Sequence, residues 1–132
     1  MKAVECHRNA HTTPRSQGIP VLLDCKRGDI GSTAAAYAVA SYDKLEAHGV
    51  TLSPLMGYDS VEPFITGEYA GKGGAFLLCK TSNPGSNELL SDCFEKIAAL
   101  AQDWSNRALS GSSDVPCLGL VVGATDADAL RR

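Results

Sequence analysis

Three ionisable residues offer the first chemistry in this chain. Asp24, Lys26 and Asp29 lie in the run Asp24-Cys25-Lys26-Arg27-Gly28-Asp29, directly after the apolar run Val21-Leu22-Leu23. Residues two apart at the end of an extended segment project to the same side, so Asp24 and Lys26 share a face. If that face is a partly desolvated interior, the pair is unfavourable unless the charges match. Asp29 follows in the turn after Gly28 and can supply a second carboxylate. A lysine flanked by carboxylates keeps its proton, because nearby negative charge favours the charged form. It is then a positioned proton donor or a clamp for an anion. The same spacing also suits a surface salt bridge at a helix entry.

The elements that must position these residues repeat along the chain. Residues 1–17 read as irregular or as a helix end, and Gly18-Ile19-Pro20 punctuates the sequence. Four short apolar runs read as strands: Val21-Leu22-Leu23, suited to burial on both faces, Val50-Thr51-Leu52, Ala75 to Cys79 and Leu118 to Val122. Helices are expected over 34–48, with Gly31-Ser32-Thr33 as N-cap and Gly49 just past the end. A second is expected over 60–69, with Asp59 and Glu62 as a capping box and Pro63 in its first turn. The longest is expected over 87–109, where Leu89-Leu90, Phe94, Ile97-Ala98, Ala101 and Trp104 form a stripe read as core. The order β-α-β-α-β-α-β implies right-handed βαβ units and a parallel sheet. Each strand ends in a polar cluster: Asp24/Lys26/Asp29, Thr51/Ser53, Lys80/Ser82/Asn83 and Thr125/Asp126. In a parallel α/β architecture those ends share the face where sites form, although strand-to-helix loops are polar in any case.

Composition narrows the function classes. The chain has 132 residues, 44% hydrophobic and 20% charged, the profile of one globular domain. Net charge is −3 with scattered basic residues, and aromatics are 6%, so neither a nucleic-acid footprint nor a base-stacking platform is expected. No apolar run approaches the length of a membrane span, and the first 20 residues hold no secretory h-region. Five widely spaced cysteines without a CxxC pair argue against a disulfide framework or a zinc site, and point to a reducing, cytoplasmic compartment. Cys6, His7 and His11 are close in sequence but lack a matching second half, so no metal is expected. His48 is read as a helix C-terminal residue facing the dipole.

Asp24-Cys25-Lys26-Arg27-Gly28-Asp29-Ile30-Gly31-Ser32-Thr33 resembles the DxKRxDIxxT signature of the orotidine 5′-phosphate decarboxylases, in their bacterial-type branch. Thr51-Leu52-Ser53-Pro54-Leu55-Met56-Gly57-Tyr58-Asp59-Ser60, Lys80-Thr81-Ser82-Asn83-Pro84-Gly85-Ser86 and Gly119 to Thr125 fit in the same order. The resemblance covers roughly residues 18–132. It implies a (β/α)8 TIM barrel, of which this α/β chain supplies approximately strands 3 to 6 with the intervening helices. It implies decarboxylation of orotidine 5′-phosphate to UMP, with no cofactor and no metal.

By resemblance, Lys26 is the proton donor to C6 of the pyrimidine and Asp24 sits beside the scissile carboxylate. Asp29, with Ile30 and Thr33, reaches across a homodimer interface into the partner's site. Ser82 contacts the pyrimidine ring. Strands one and two are expected before Met1, and strands seven and eight with the phosphate site after Arg132. Residues 1–132 are therefore expected to form a single partial barrel domain that is inactive alone. A related sugar-phosphate lyase with a DxKxxD motif is a rival reading. So is a non-catalytic remnant, or a half-barrel completed by a partner chain.

Overall fold

The computed structural model describes residues 18–109, 118–125 and 127–131. Four strands, β1 (Leu22–Arg27), β2 (Gly49–Leu52), β3 (Gly74–Lys80) and β4 (Leu118–Val122), form one sheet in the order β1-β2-β3-β4. Every neighbouring pair is parallel. Helices α1 (Gly31–Val39), α2 (Tyr58–Ile65), α3 (Leu90–Ala108) and α4 (Ala127–Arg131) follow the four strands in turn. Sequential parallel pairing is what a section of a closed barrel requires, and the expected α/β sheet is present.

The helices cover one face of the sheet. Val50, Leu52, Ala75 and Leu77 point into that layer and pack with Ala38, Val61, Phe64, Ile65, Ala101 and Trp104. Phe94, Ile97, Ala101 and Trp104 are buried along α3, so the helical stripe and the core reading of Trp104 both hold. Cys79 is buried against Phe94 and Ile97, as its apolar setting suggests. Leu22 and Phe76 are exposed, and the Phe76 ring lies over Gly119. Among the described residues no helix is long and apolar enough to cross a membrane.

Several local expectations are corrected. The first strand does not end at Leu23 but runs to Arg27, because pairing resumes there with Leu52. Helix α1 starts at Gly31 and is capped by no side chain; instead the Asp29 carboxylate accepts the N–H of Ile30. It gives way at Ala40 to a π-helical turn, Ala40–Lys44, rather than running to His48. The Ser41 hydroxyl donates to the Tyr37 carbonyl, the back-bonding that competes with a regular α-helical turn. Gly49 opens β2 instead of ending a helix. His48 is not a dipole partner: its Nδ1 accepts the N–H of Val21, and its own N–H donates to the Val21 carbonyl. This two-way clamp aligns the starts of β1 and β2.

Helix α2 begins at Tyr58 with Gly57 before it and shows no capping box. Pro63 stands at its sixth residue, outside the first turn, and the helix ends two residues later. A short 3₁₀ turn, Gly67–Tyr69, follows. The expected start of the third helix at Asn87 falls in another 3₁₀ turn, Pro84–Glu88, with α3 proper beginning at Leu90. Residues 1–17, including Cys6, His7 and His11, lie outside the described residues, as do Cys117 and Asp126.

Candidate active site at the strand ends

The carboxyl ends of the four parallel strands open on one side, and two glycines let their loops close together there. A side chain at Gly28 would place its Cβ 2.9 Å from both Ser53 Cβ and Met56 Cε. Its absence lets the Ser53 N–H reach the Arg27 carbonyl at 2.6 Å. A Cβ at Gly123 would stand 3.0 Å from the Ser82 nitrogen and 3.1 Å from its Cα. The Gly123 N–H instead donates to the Lys80 carbonyl at 2.8 Å, drawing the end of β4 against the loop that carries Ser82.

Lys26 and Asp24 meet, with Nζ 2.6 Å from Asp24 Oδ1, though not by the strand alternation expected from their spacing. The backbone between them is not a regular strand. Lys26 has φ +49°, in the left-handed region that side chains disfavour. Pairing jumps from Leu23↔Val50 to Arg27↔Leu52, so Asp24, Cys25 and Lys26 stand opposite Thr51 alone. A bulge of this kind re-aims side chains and is common beside active sites. The Thr51 hydroxyl donates to Asp24 Oδ1 at 2.9 Å and accepts the Lys26 N–H at 3.0 Å. Lys26 first, and Thr51 second, hold the Asp24 carboxyl below the usual carboxylate range. Side chains of Lys26 and Asp24 are 52% and 62% exposed, open to a ligand on this face.

The other expected site residues are placed apart from this pair. Asp29 does not flank Lys26; its carboxylate is turned to its own backbone, and the described residues contain no Lys26–Asp29 ion pair. Ile30 is exposed, and so is Thr33 in the first turn of α1. Ser82 is exposed on the loop after β3, beside a cleft of about 340 Å³ lined also by Lys80, Asn83, Asn87 and Thr125. A second cleft, of about 210 Å³, lies by the starts of β2 and β3, lined by Tyr42, His48 and Tyr69, and has no part in the strand-end face.

Thr51 and Lys80, legible in the sequence only as members of strand-end polar clusters, take specific places here. Thr51 is buried and is the polar member of the otherwise apolar run Val50–Leu52, which is the signal that marks it. Lys80 is also buried; its ammonium donates to Asn87 Oδ1 at 2.6 Å and Ser91 Oγ at 2.5 Å. It thereby ties the end of β3 to the entry of α3 across the Ser82 loop. Burial pushes the Cys25 and Cys79 thiols up, so neither is primed as a thiolate nucleophile. No group of three potential metal-ligating residues is found among the described residues.

A lysine and a carboxylate two positions apart at a strand end do not by themselves fix a reaction, and similarity decides the family. The model of the orotidine 5′-phosphate decarboxylase / HUMPS family matches residues 7–132. The chain belongs to this family. An orotidine 5′-phosphate decarboxylase of Paracidovorax citrulli is 49% identical over 125 residues, covering 87% of this chain and 42% of the relative. One from Albidiferax ferrireducens is 47% identical, covering 93% and 43%. The solved Leishmania donovani OMP decarboxylase superposes with a TM-score of 0.71 at 45% identity, covering 86% of this chain and 44% of that one. The Leishmania donovani UMP synthase gives 0.67 at 43% identity, covering 86% and 24%. The chain thus spans less than half the length of the decarboxylases it matches, and its sheet is part of the family's barrel.

Proposed function

We propose that this chain supplies the proton-donating half of the active-site face of an orotidine 5′-phosphate decarboxylase. The observation that carries the proposal is the Lys26–Asp24 pair, 2.6 Å apart at a strand end, in a chain of this family. The bond from C6 of the pyrimidine to the carboxylate carbon breaks, and its electron pair stays on C6. The Lys26 ammonium delivers a proton to that carbon, CO2 leaves, and UMP is formed. A fixed ammonium stabilises the charge as it develops and then quenches it. Asp24 stands beside the departing carboxylate and holds the ammonium in place. Lys26 is left as a neutral amine and regains a proton from water, so atoms and electrons balance without a cofactor or metal.

Ser82 contacts the pyrimidine ring from its loop, against the end of β4. Asp29, Ile30 and Thr33 reach into the site of a second copy in a homodimer. Support for this is their placement: Ile30 and Thr33 are exposed, and Asp29 is turned away from Lys26 of its own chain. The partners are then a small nucleotide and a second copy of the chain, and the setting is the cytoplasm.

The test is a substrate comparison in a complete barrel carrying these residues. Orotidine 5′-phosphate should lose its carboxyl group as CO2, while pentulose and hexulose phosphates should remain unchanged. Turnover of a sugar phosphate without decarboxylation of the nucleotide would reverse the assignment.

A further inference from the structure

We infer that Thr51 is a positioning residue for the decarboxylation, its hydroxyl setting both the backbone of Lys26 and the carboxylate of Asp24. The inference deepens the proposed function and rests on that reading.

The geometry behind it is specific. Three residues of β1 face one residue of β2, so the regular ladder cannot serve Asp24, Cys25 and Lys26. Thr51 takes contacts from all three. Its hydroxyl donates to Asp24 Oδ1 and accepts the Lys26 N–H, using one donor and one acceptor of the same oxygen. Its carbonyl receives the Cys25 thiol at 3.9 Å, a long and weak contact. The Lys26 N–H would otherwise lack this partner while its residue sits at φ +49°. A left-handed lysine persists where the surroundings over-determine it, and such strain clusters at functional sites.

Burial makes the hydroxyl an anchor. Thr51 is 3% exposed, whereas Lys26 and Asp24 are more than half exposed. The exposed ion pair alone would be a weak and mobile contact. Bonded to a buried oxygen of the neighbouring strand, it becomes a fixed one. Fixing matters because a proton donor displaced by about 1 Å can lose roughly 10²-fold in rate.

Valine has the shape of threonine without the hydroxyl, and serine keeps the hydroxyl without the methyl. In a complete barrel, Thr51→Val is expected to lower kcat by about 10- to 100-fold. KM and UMP affinity should stay within about twofold of the parent. Thr51→Ser is expected to restore most of kcat. Equal loss in both variants, or no loss in Thr51→Val, would overturn the inference. A second readout does not need turnover. The described groups that act on Asp24 are the Lys26 ammonium on its own strand and the Thr51 hydroxyl on β2. Carbon-13 titration should show the Asp24 carboxyl moving up towards its ordinary value in Thr51→Val and staying low in Thr51→Ser. An unmoved Asp24 in Thr51→Val would overturn the inference even if the barrel decarboxylates. A barrel that fails to decarboxylate but shows the titration shift would instead count against the proposed function.

Discussion

Thr51 Oγ1 and Asp24 Oδ1 lie 2.9 Å apart, joining two neighbouring strands by side chains where their backbones have stopped pairing. That link, with the ammonium of Lys26, holds Asp24 ionised. The folded-state value of this carboxyl lies below its unfolded value. Its contribution to stability is therefore present above the unfolded value and is lost as pH falls through the lowered one. Because the pair is largely exposed, the effect is small, about 0–1 kcal/mol. Carbon-13 titration should find the Asp24 carboxyl below its ordinary value, and Lys26→Met should raise it. An Asp24 that titrates in the ordinary range in both proteins would contradict the pairing.

Tyr69 is governed by the opposite sign. Burial first, and then the hydrogen bond from its hydroxyl to Asp43 at 2.8 Å, push the phenol up to about 12. The folded value exceeds the unfolded one, so this contribution is present below the ordinary tyrosine range and is lost as pH rises towards 12. Phenolate absorbance followed against pH should show a late tyrosine step that loses one tyrosine's amplitude in Tyr69→Phe. If the late amplitude is unchanged in that variant, the assignment to Tyr69 is wrong.

Much of the fold is legible in the residues, for physical reasons that differ by element. The apolar run at β4 is expected at 118–122 and is found at Leu118–Val122, each residue partly buried, because an unbroken apolar run suits a strand of a parallel sheet. The α3 stripe is legible because burial recurs at helical spacing. The π-helical turn after Val39 is not, since alanine, serine and tyrosine at 40–42 carry no signal for the Leu45 N–H to Ala40 carbonyl bond that defines it. Lys26 and Asp24 stand out in the sequence as a pair, but a bulge rather than the expected strand alternation brings them together. The left-handed Lys26 is not legible, because lysine carries no signal for positive φ and the cause lies 25 residues away in Thr51. The two-way clamp of His48 on Val21 is likewise a contact across strands, invisible to local spacing.

Core and surface should respond differently on the same protein. Phe64 is among the largest fully buried side chains, packed against the sheet from α2. Phe64→Ala should cost about 3–5 kcal/mol in urea unfolding. Leu89, 50% exposed just before α3, should change stability by less than about 0.5 kcal/mol as Leu89→Ala. Equal losses at the two positions would refute the placement of the core.

Lys80 should act on the loop that carries Ser82. Lys80→Ala removes both bonds to Asn87 and Ser91, leaving only the Ser91 hydroxyl to Asn87 at 3.1 Å. The expected loss is about 1–3 kcal/mol, with faster amide exchange at Ser86, whose N–H bonds Asn83 within the 3₁₀ turn. Unchanged exchange at Ser86 would show that Lys80 does not hold this loop.

Replacement of the lysine itself bears most directly on the proton-donor role. In a complete barrel, Lys26→Ala should lower decarboxylation of orotidine 5′-phosphate by at least about 10²- to 10⁴-fold. UMP affinity should stay within about tenfold of the parent. Retained turnover with the Lys26 side chain gone would contradict the assignment of Lys26 as the proton donor.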